Sequence, residues 1–381
     1  MTDLPPIVAH ERTPSGWRGL TAKGELVEVT SDGGPVPPEV LVYHGGREVG
    51  RRVITQSGFD LGTYLTRTKR AVDLYQENRS EEALAMIDEA IAVRDTPQAR
   101  LNRSIILLAL GRWREGFAEH EARFEMMTPP RVAAAAARLP RWRGEDLEGK
   151  RLMLVHDAGY GDSVMCARYV PVLQAAGAEV VLSVPEPLRK LLCQLAVAVK
   201  EDAWADYYCP LYSLPHALGQ GMDGVPSGAY LYADPELVRE WRLWPGMGDG
   251  RNIGLAWRVG AYVDGDYPRE CPLKLLADRL RGRGRLYSLQ VNGQDEADSC
   301  GVAVPKIRDF ADVAALASLM DEVVTVDTAA LHVAGATGHP KVACLLSHWA
   351  SWRFLGNRFY PDVKLCRQAR PGDWESALAQ L

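Results

Sequence analysis

The stretch Leu152-Met153-Leu154-Val155-His156-Asp157-Ala158-Gly159-Tyr160-Gly161-Asp162-Ser163 decides the fold. An apolar β-prone run enters a turn with two glycines and then a helical pattern over 163–176, the strand, turn and helix order of a parallel α/β unit. Such a turn sets backbone N–H groups, at Gly159 and Gly161, and the Asp162 carboxyl at the carboxyl edge of a sheet, where doubly wound folds bind their ligands. It is not the dinucleotide fingerprint, because the third glycine is missing and no suitable acid closes the next strand. The same spacing fits Asp162 or Ser163 as a plain helix N-cap, and both readings stand at this level.

Outward from this unit, strands are predicted at 151–156, 178–184, 252–257, 285–290, 322–327 and 341–347. Helical patterns lie between them at 163–176, 186–195, 272–280, 312–320 and 328–338, so the expected architecture is α/β with parallel sheets covered on both faces. Pro245, Gly246, Gly248 and Gly250 crowd the segment 241–251, which divides the α/β part into two Rossmann-like lobes, 141–245 and 246–381, the second closed by a C-terminal helix. Upstream, Asn78-Arg79-Ser80-Glu81-Glu82-Ala83 is echoed by Gly111-Arg112-Trp113-Arg114-Glu115-Gly116, a turn followed by a helix start, which predicts a short tetratricopeptide-like helical module over 63–140. Within it, Trp113, Phe117 and Phe124 read as core, and Thr128 to Pro140 as a linker. Residues 1–62, rich in Gly and Pro around β-prone runs at 26–29 and 40–43, read as a small β-rich cap.

The chain has 381 residues and a formal net charge of −5, so it lacks the basic field that nucleic-acid binding normally uses. Its seven scattered cysteines show no metal or disulfide spacing. No apolar run is long enough to span a bilayer, and a cytoplasmic location is expected.

A second constellation is Glu322-Val323-Val324-Thr325-Val326-Asp327-Thr328-Ala329-Ala330-Leu331-His332. A buried strand ends in Asp327-Thr328, and small residues such as Ala329 let the next helix begin close to the sheet edge, where its N–H groups suit a diphosphate. His332, four residues after Thr328, faces the same side. A third is Ile253-Gly254-Leu255-Ala256-Trp257-Arg258, a strand ending in an aromatic and a base, with Arg269 downstream as a possible bidentate phosphate clamp. The basic run 279–285 reads instead as a solvated helix end with a glycine stop.

Taken in order, these motifs resemble the bacterial tetratricopeptide-containing glycosyltransferases, whose catalytic region is similar to the heptosyltransferases and, more distantly, to the protein O-GlcNAc transferases. The resemblance rests on Asp157 to Tyr169, Trp142-Arg143-Gly144, Gly254-Leu255-Ala256-Trp257, Arg269 with Pro272-Leu273, Ser288-Leu289-Gln290, Asp309-Phe310-Ala311-Asp312, Val326-Asp327-Thr328-Ala329 with His332, Trp352-Arg353 and Gly372-Asp373-Trp374. Where that family commonly has an acid and an amide before the first glycine, this chain has Asp157 and Ala158.

The resemblance implies a glycosyltransferase B fold with a UDP-, ADP- or GDP-sugar held mainly by the C-terminal lobe and no permanently bound cofactor. Thr328, the helix start after it and Arg269 would meet the diphosphate; Gln290 and its neighbours would lie near the base or ribose, with Trp257, Arg258, Ser288, Leu289, Asp327 and His332 also on the donor side. Asp162 would be the general base of an inverting transfer to a protein, glycan or other hydroxyl acceptor, and no metal ligand is assigned. The helical module offers a surface for a protein partner. Competing readings are a non-catalytic nucleotide-binding scaffold and a glycosyltransferase acting on hydroxylated DNA bases, which the acidic charge disfavours.

Overall fold

Parallel ladders account for the apolar runs at 151–155, 252–256, 322–326 and 342–346, because strands covered on both faces need no polar alternation. The computed structural model describes residues 61–381 except 201, 260–268, 292 and 350, together with the backbone of the strands among the first 60 residues. It divides into two units, residues 1–106 and 107–381.

In the first unit, β1 (Ile7–Thr13), β2 (Gly16–Thr21) and β3 (Leu26–Thr30) form an antiparallel sheet, and β4 (Glu39–His44) pairs with β5 (Arg47–Val53). The helices α1 (Leu61–Gln76), α2 (Ser80–Val93) and most of α3 (Pro97–Ala109) follow. Asn78 takes φ 61°, which lets the Arg79 N–H donate to Leu74 O at 2.9 Å and closes α1. Ala71, Leu74, Ala83, Ile87 and Ala90 are buried along α1 and α2.

The second unit opens with α4 (Trp113–His120), α5 (Arg123–Met126) and α6 (Pro130–Ala136). The expected linker over 128–140 therefore contains a helix. Pro130 sits in its first turn, where the missing N–H costs nothing, an alanine run propagates it, and Val132 and Ala135 anchor it on Met153 and Val155.

The first parallel sheet has the order β8-β7-β6-β9, from β6 (Arg151–Val155), β7 (Glu179–Ser183), β8 (Val197–Ala198) and β9 (Tyr207–Pro210). Its helices are α7 (Tyr160–Cys166), α8 (Val170–Ala175) and α9 (Glu186–Leu192). A 3₁₀ turn at Ala167–Tyr169 splits the helix predicted for 163–176, just before Pro171. Short helix α10 (Leu214–Ala217) and helix α11 (Pro235–Arg242) lead to the second sheet.

That sheet has the order β11-β10-β12-β13-β14, from β10 (Asn252–Ala256), β11 (Arg285–Ser288), β12 (Glu322–Val326), β13 (Val342–Leu346) and β14 (Lys364–Arg367), all parallel. Helices α12 (Leu273–Leu280), α13 (Gln294–Ser299), α14 (Phe310–Ser318), α15 (Ala329–Ala336) and α16 (Trp374–Leu378) cover it. One apolar core joins the two sheets, running from Leu152 and Leu154 through Val164, Leu316 and Leu331 to Val323 and Leu346. Among the described residues no helix is long and apolar enough to cross a membrane. The basic run closes α12: Gly282 takes φ 78°, Arg281 is exposed, and Arg283 reaches Glu322 at 3.3 Å.

The motif at 309–312 is an anchor. Asp309 caps α14 by accepting from the N–H groups of Ala311 and Asp312. The buried Asp312 carboxylate accepts from Trp241 Nε1 at 2.9 Å and pairs with Arg308 at 2.7 Å, tying α11 to α14. Burial opposes its ionisation, but the hydrogen bonds from Arg308 and Trp241 outweigh that and hold the carboxyl below its ordinary value. Asp312→Ala is expected to cost about 1–3 kcal/mol, read from denaturant melts, because it leaves the buried Trp241 donor unpaired and Arg308 with Glu240 alone. Since the folded-state pKa is depressed, the wild type should show this contribution in full above about pH 4 and lose it as pH falls further, a dependence the variant lacks.

Candidate functional site

Parallel sheets bind ligands where the strand order reverses, beyond the carboxyl ends. In the first sheet that point lies between β6 and β9, and in the second between β10 and β12. Each is furnished with polar side chains.

At the first, Asp157 follows β6 with a side chain closed off from solvent, accepting from Arg123 Nη2 at 2.8 Å and from the Tyr212 N–H at 3.0 Å. Arg123 also pairs with Glu121 at 2.7 Å, and Glu121 makes a second, very short contact with Arg141. The Ser213 hydroxyl joins all three: it donates to Glu121 at 2.8 Å and accepts from Arg123 at 2.7 Å and Arg141 at 2.9 Å. The Arg123 and Arg141 guanidinium groups lie 4.1 and 4.8 Å from the centroid of the Phe124 ring. Sequence reasoning missed this network. Glu121 was visible only as one more residue on a helical face, and the network draws on four segments, at 121–123, 141, 157 and 212–213.

Asp162 lies in the first turn of α7, whose N-cap is Gly159. One carboxylate oxygen accepts from the Gly159 N–H at 3.1 Å, and the other from Arg353 Nη2 at 2.6 Å. Both side chains are 19% exposed, so the pair is largely buried but still open to solvent. Burial works against ionisation of Asp162, yet the Arg353 guanidinium, with His332 and the Gly159 hydrogen bond, overcomes it and holds the carboxyl low. Arg353 was noted in the sequence only as part of Trp352-Arg353. Its Nη2 also donates to Tyr212 Oη at 2.8 Å and its Nη1 to Ser351 Oγ at 2.9 Å. The neighbouring Trp352 is fixed in an aromatic cluster with Trp113 at 5.5 Å and Phe117 at 5.3 Å, while Phe359 stacks on Trp113 at 5.4 Å. The α4 aromatics Trp113 and Phe117 are thus core, whereas Phe124, on α5, is only half-buried under the arginines.

From the second sheet, α15 packs directly on α7. A Cβ at Gly161 would meet His332 Cδ2 at 2.6 Å and Ala329 Cα at 3.3 Å, so only glycine permits the approach. His332 is buried, contacts Tyr360 Oη through Nδ1 at 3.0 Å, and is pushed down to about 4 by burial, which leaves it neutral at neutral pH. Thr328 is the N-cap of α15 in extended conformation, with no side-chain capping bond of its own. Beside it Asp327 accepts from Arg269 at 3.2 Å. The fold thus brings Gly159, Gly161, Asp162, Ala329, His332 and Arg353 together, with Asp327, Thr328 and Arg269 at the adjoining sheet edge.

The remaining predicted residues gather at the ends of β10 and β11. Gln290 Oε1 accepts from the N–H groups of Trp257 and Arg258 at 2.9 and 3.1 Å. Glu296 accepts from Trp257 Nε1 at 3.0 Å and pairs with Arg258 at 2.9 Å. Trp257 is buried, Ser288 Oγ donates to Gln290 O at 3.1 Å, and Leu289 lies in the core against Gly254. The Asp264-Gly265-Asp266 triplet, of a kind that can hold a metal, falls outside the described residues. Among the described residues no three His, Cys, Asp or Glu side chains converge as a metal site.

No family model matches the chain. It is 28% identical over 349 residues to Protein FlbA of Caulobacter vibrioides, a match covering 79% of this chain but 58% of that protein, so the chain spans little more than half the length of this relative. Among solved structures it is similar to a family 9 glycosyl transferase of Veillonella parvula, at TM-score 0.44 and 14% identity, over 59% of this chain and 88% of that one. The Escherichia coli heptosyltransferase WaaC with ADP gives 0.38 and 16%, over 61% and 93%. A mutant O-GlcNAc transferase of Thermobaculum terrenum gives 0.28 and 13%, over 83% and 82%.

Proposed function

We propose that the chain is a glycosyltransferase that moves a sugar from a nucleotide-sugar to an acceptor hydroxyl with inversion. The observation that carries this reading is the meeting of two parallel sheets at their carboxyl edges, where an ionised carboxylate, Asp162, faces the Asp327-Thr328 start of α15 across the Gly161 contact. In the transfer, the acceptor oxygen forms a bond to the anomeric carbon as the bond from that carbon to the diphosphate breaks. The acceptor proton passes to Asp162, and the diphosphate leaves with its charge met by Arg269 and the N–H groups that begin α15. One base and no nucleophilic carboxylate fit a single displacement. The ordered motifs from Trp142 to Trp374 support the same reading. We further propose that residues 63–140 form a tetratricopeptide-like module for a protein partner and that residues 1–62 form a separate cap.

Thermal shift against UDP-, ADP- and GDP-sugars, followed by assay of released nucleoside diphosphate, tests the proposal. Stabilisation by one nucleotide class together with slow donor hydrolysis supports it; no stabilisation by any donor sinks it. The occupation of Asp162 by Arg353 favours a second reading, a scaffold that binds nucleotide without turnover. Stabilisation without hydrolysis or transfer would select that reading.

Metal independence is a separate prediction. Turnover is expected to survive EDTA unchanged, because arginine and backbone N–H groups carry the phosphate charge. Activity lost to EDTA and restored by magnesium or manganese would instead assign a metal role, with Asp264 and Asp266 the first residues to replace.

A further inference from the structure

Asp162 is a weak proton acceptor in the state described, because the Arg353 guanidinium on one oxygen and the Gly159 N–H on the other both favour its ionised form. The groups facing this carboxylate are Arg353 from the turn at 352–357, His332 from α15, Tyr212 after β9, His156 after β6 and His120 at the end of α4, with Cys166 beneath. Burial lowers His332 and His156 to about 4 and His120 to about 3, so all three are neutral at neutral pH. Burial also raises the Tyr212 phenol and the Cys166 thiol, which keeps both protonated. Of these groups only Arg353 carries positive charge.

Arg353 also has the means to let go. Its Nε is buried with no hydrogen-bond partner among the described residues, and its guanidinium interacts electrostatically with Asp327 as well as Asp162. Its partner Asp162 sits on α7 beside Gly161, where α7 meets Ala329 and His332 at the start of α15, the helix that Thr328 caps. A planar guanidinium in that position matches a diphosphate better than it matches one carboxylate already satisfied by a backbone N–H.

We propose that Arg353 is an exchangeable latch, paired with Asp162 when the site is empty and transferred to the donor diphosphate when it binds. The inference rests on the donor site proposed above. Once Arg353 turns to the diphosphate, Asp162 loses its cation, gains a neighbouring dianion and becomes basic enough to take the acceptor proton. Arg353 thus contacts the donor and controls the base in this scheme: it makes Asp162 competent only when there is a leaving group to displace. No covalent bond changes in the exchange.

The test uses the full chain labelled with [4-¹³C]aspartate, with the Asp162 resonance assigned by its absence in Asp162→Asn. Calorimetry first selects among ADP, UDP and GDP. The Asp162 titration midpoint is then measured with and without the saturating nucleotide. Saturation is expected to raise the midpoint by about one pH unit or more, the usual scale for losing a paired cation. In Arg353→Gln the midpoint should start high and rise by less than in the wild type, since only the bound dianion then acts on it, while Arg353→Lys, which keeps a cation, should retain part of the shift. Should Arg353→Gln fail to fold, the wild type and Arg353→Lys decide alone. Binding with an unmoved wild-type midpoint, or an equal shift in Arg353→Gln, overturns the latch and leaves the donor site standing. Failure of all three nucleotides to bind overturns both.

Discussion

Asp162→Asn should lower turnover at saturating donor by roughly 10²-fold to 10⁴-fold, the usual contribution of a positioned proton acceptor. From sequence alone, the same change at a plain N-cap keeps a capping oxygen and costs little stability. The ion pair with Arg353 alters that expectation. The asparagine amide can still accept from the Gly159 N–H, but Arg353 then keeps a partly buried charge without its counter-ion, and removing one member of such a pair is strongly destabilising. Two losses are therefore expected together, one in melting temperature and one in rate, and they must be separated. The double variant Asp162→Asn with Arg353→Gln removes both charges and should regain much of the stability while turnover stays low. If turnover recovers with stability, Asp162 is structural and the scaffold reading gains. A stable single variant with wild-type turnover would remove the catalytic assignment outright.

What the sequence made legible follows from the range of the interactions involved. The buried strands at 151–155, 252–256, 322–326 and 342–346 announce themselves because a parallel strand covered on both faces must be apolar almost throughout, a property of consecutive residues. β9 escapes the same reading, since Tyr207-Tyr208-Cys209-Pro210 is short and ends in proline; only its pairing with β6 makes it a strand. Local signals also compete: the prolines of 128–140 suggest a linker, whereas the alanine run between them has the stronger preference and forms α6. Leu289 marks where a motif gives too little detail. It belongs to the same triplet as Ser288 and Gln290, yet its side chain packs on Gly254 while its neighbours hydrogen-bond at the sheet edge.

The electrostatic part of the site was the least visible because its members are far apart in the chain. Arg353 meets Asp162 across 191 residues, and nothing in the local pattern of either predicts the other. The Glu121, Arg123, Arg141, Asp157 and Ser213 network has the same character. Its residue types are ordinary for solvated surface, and only the convergence of the α4–α5 turn, α5, the segment before β6 and the loops after β6 and β9 turns them into a buried polar cluster. Gly161 is intermediate: the glycine turn was legible, but that it admits His332 and Ala329 of another helix was not.

Thr328→Glu is expected to weaken nucleoside diphosphate binding well over tenfold without harming the fold. Thr328 caps α15 through backbone position alone and is only partly buried, so a longer side chain has room to turn outward. A carboxylate at a helix start is favourable in itself, by about 0.3–1 kcal/mol, so the melting temperature should hold or rise. The same carboxylate would stand where the diphosphate is proposed to bind. At an effective dielectric of about 20, two like charges roughly 4 Å apart repel by about 4 kcal/mol, so a tenfold loss, about 1.4 kcal/mol, allows for considerable screening. Arg269, already paired with Asp327, has limited capacity to neutralise a second acid, and Arg353 is committed to Asp162 until the donor arrives. Calorimetry with the tightest-binding nucleotide, at two salt concentrations, separates the causes: a repulsion should shrink as ionic strength rises, whereas a steric block should not. Unchanged affinity in a folded variant would take the diphosphate away from the start of α15 and, with it, the donor role of Thr328.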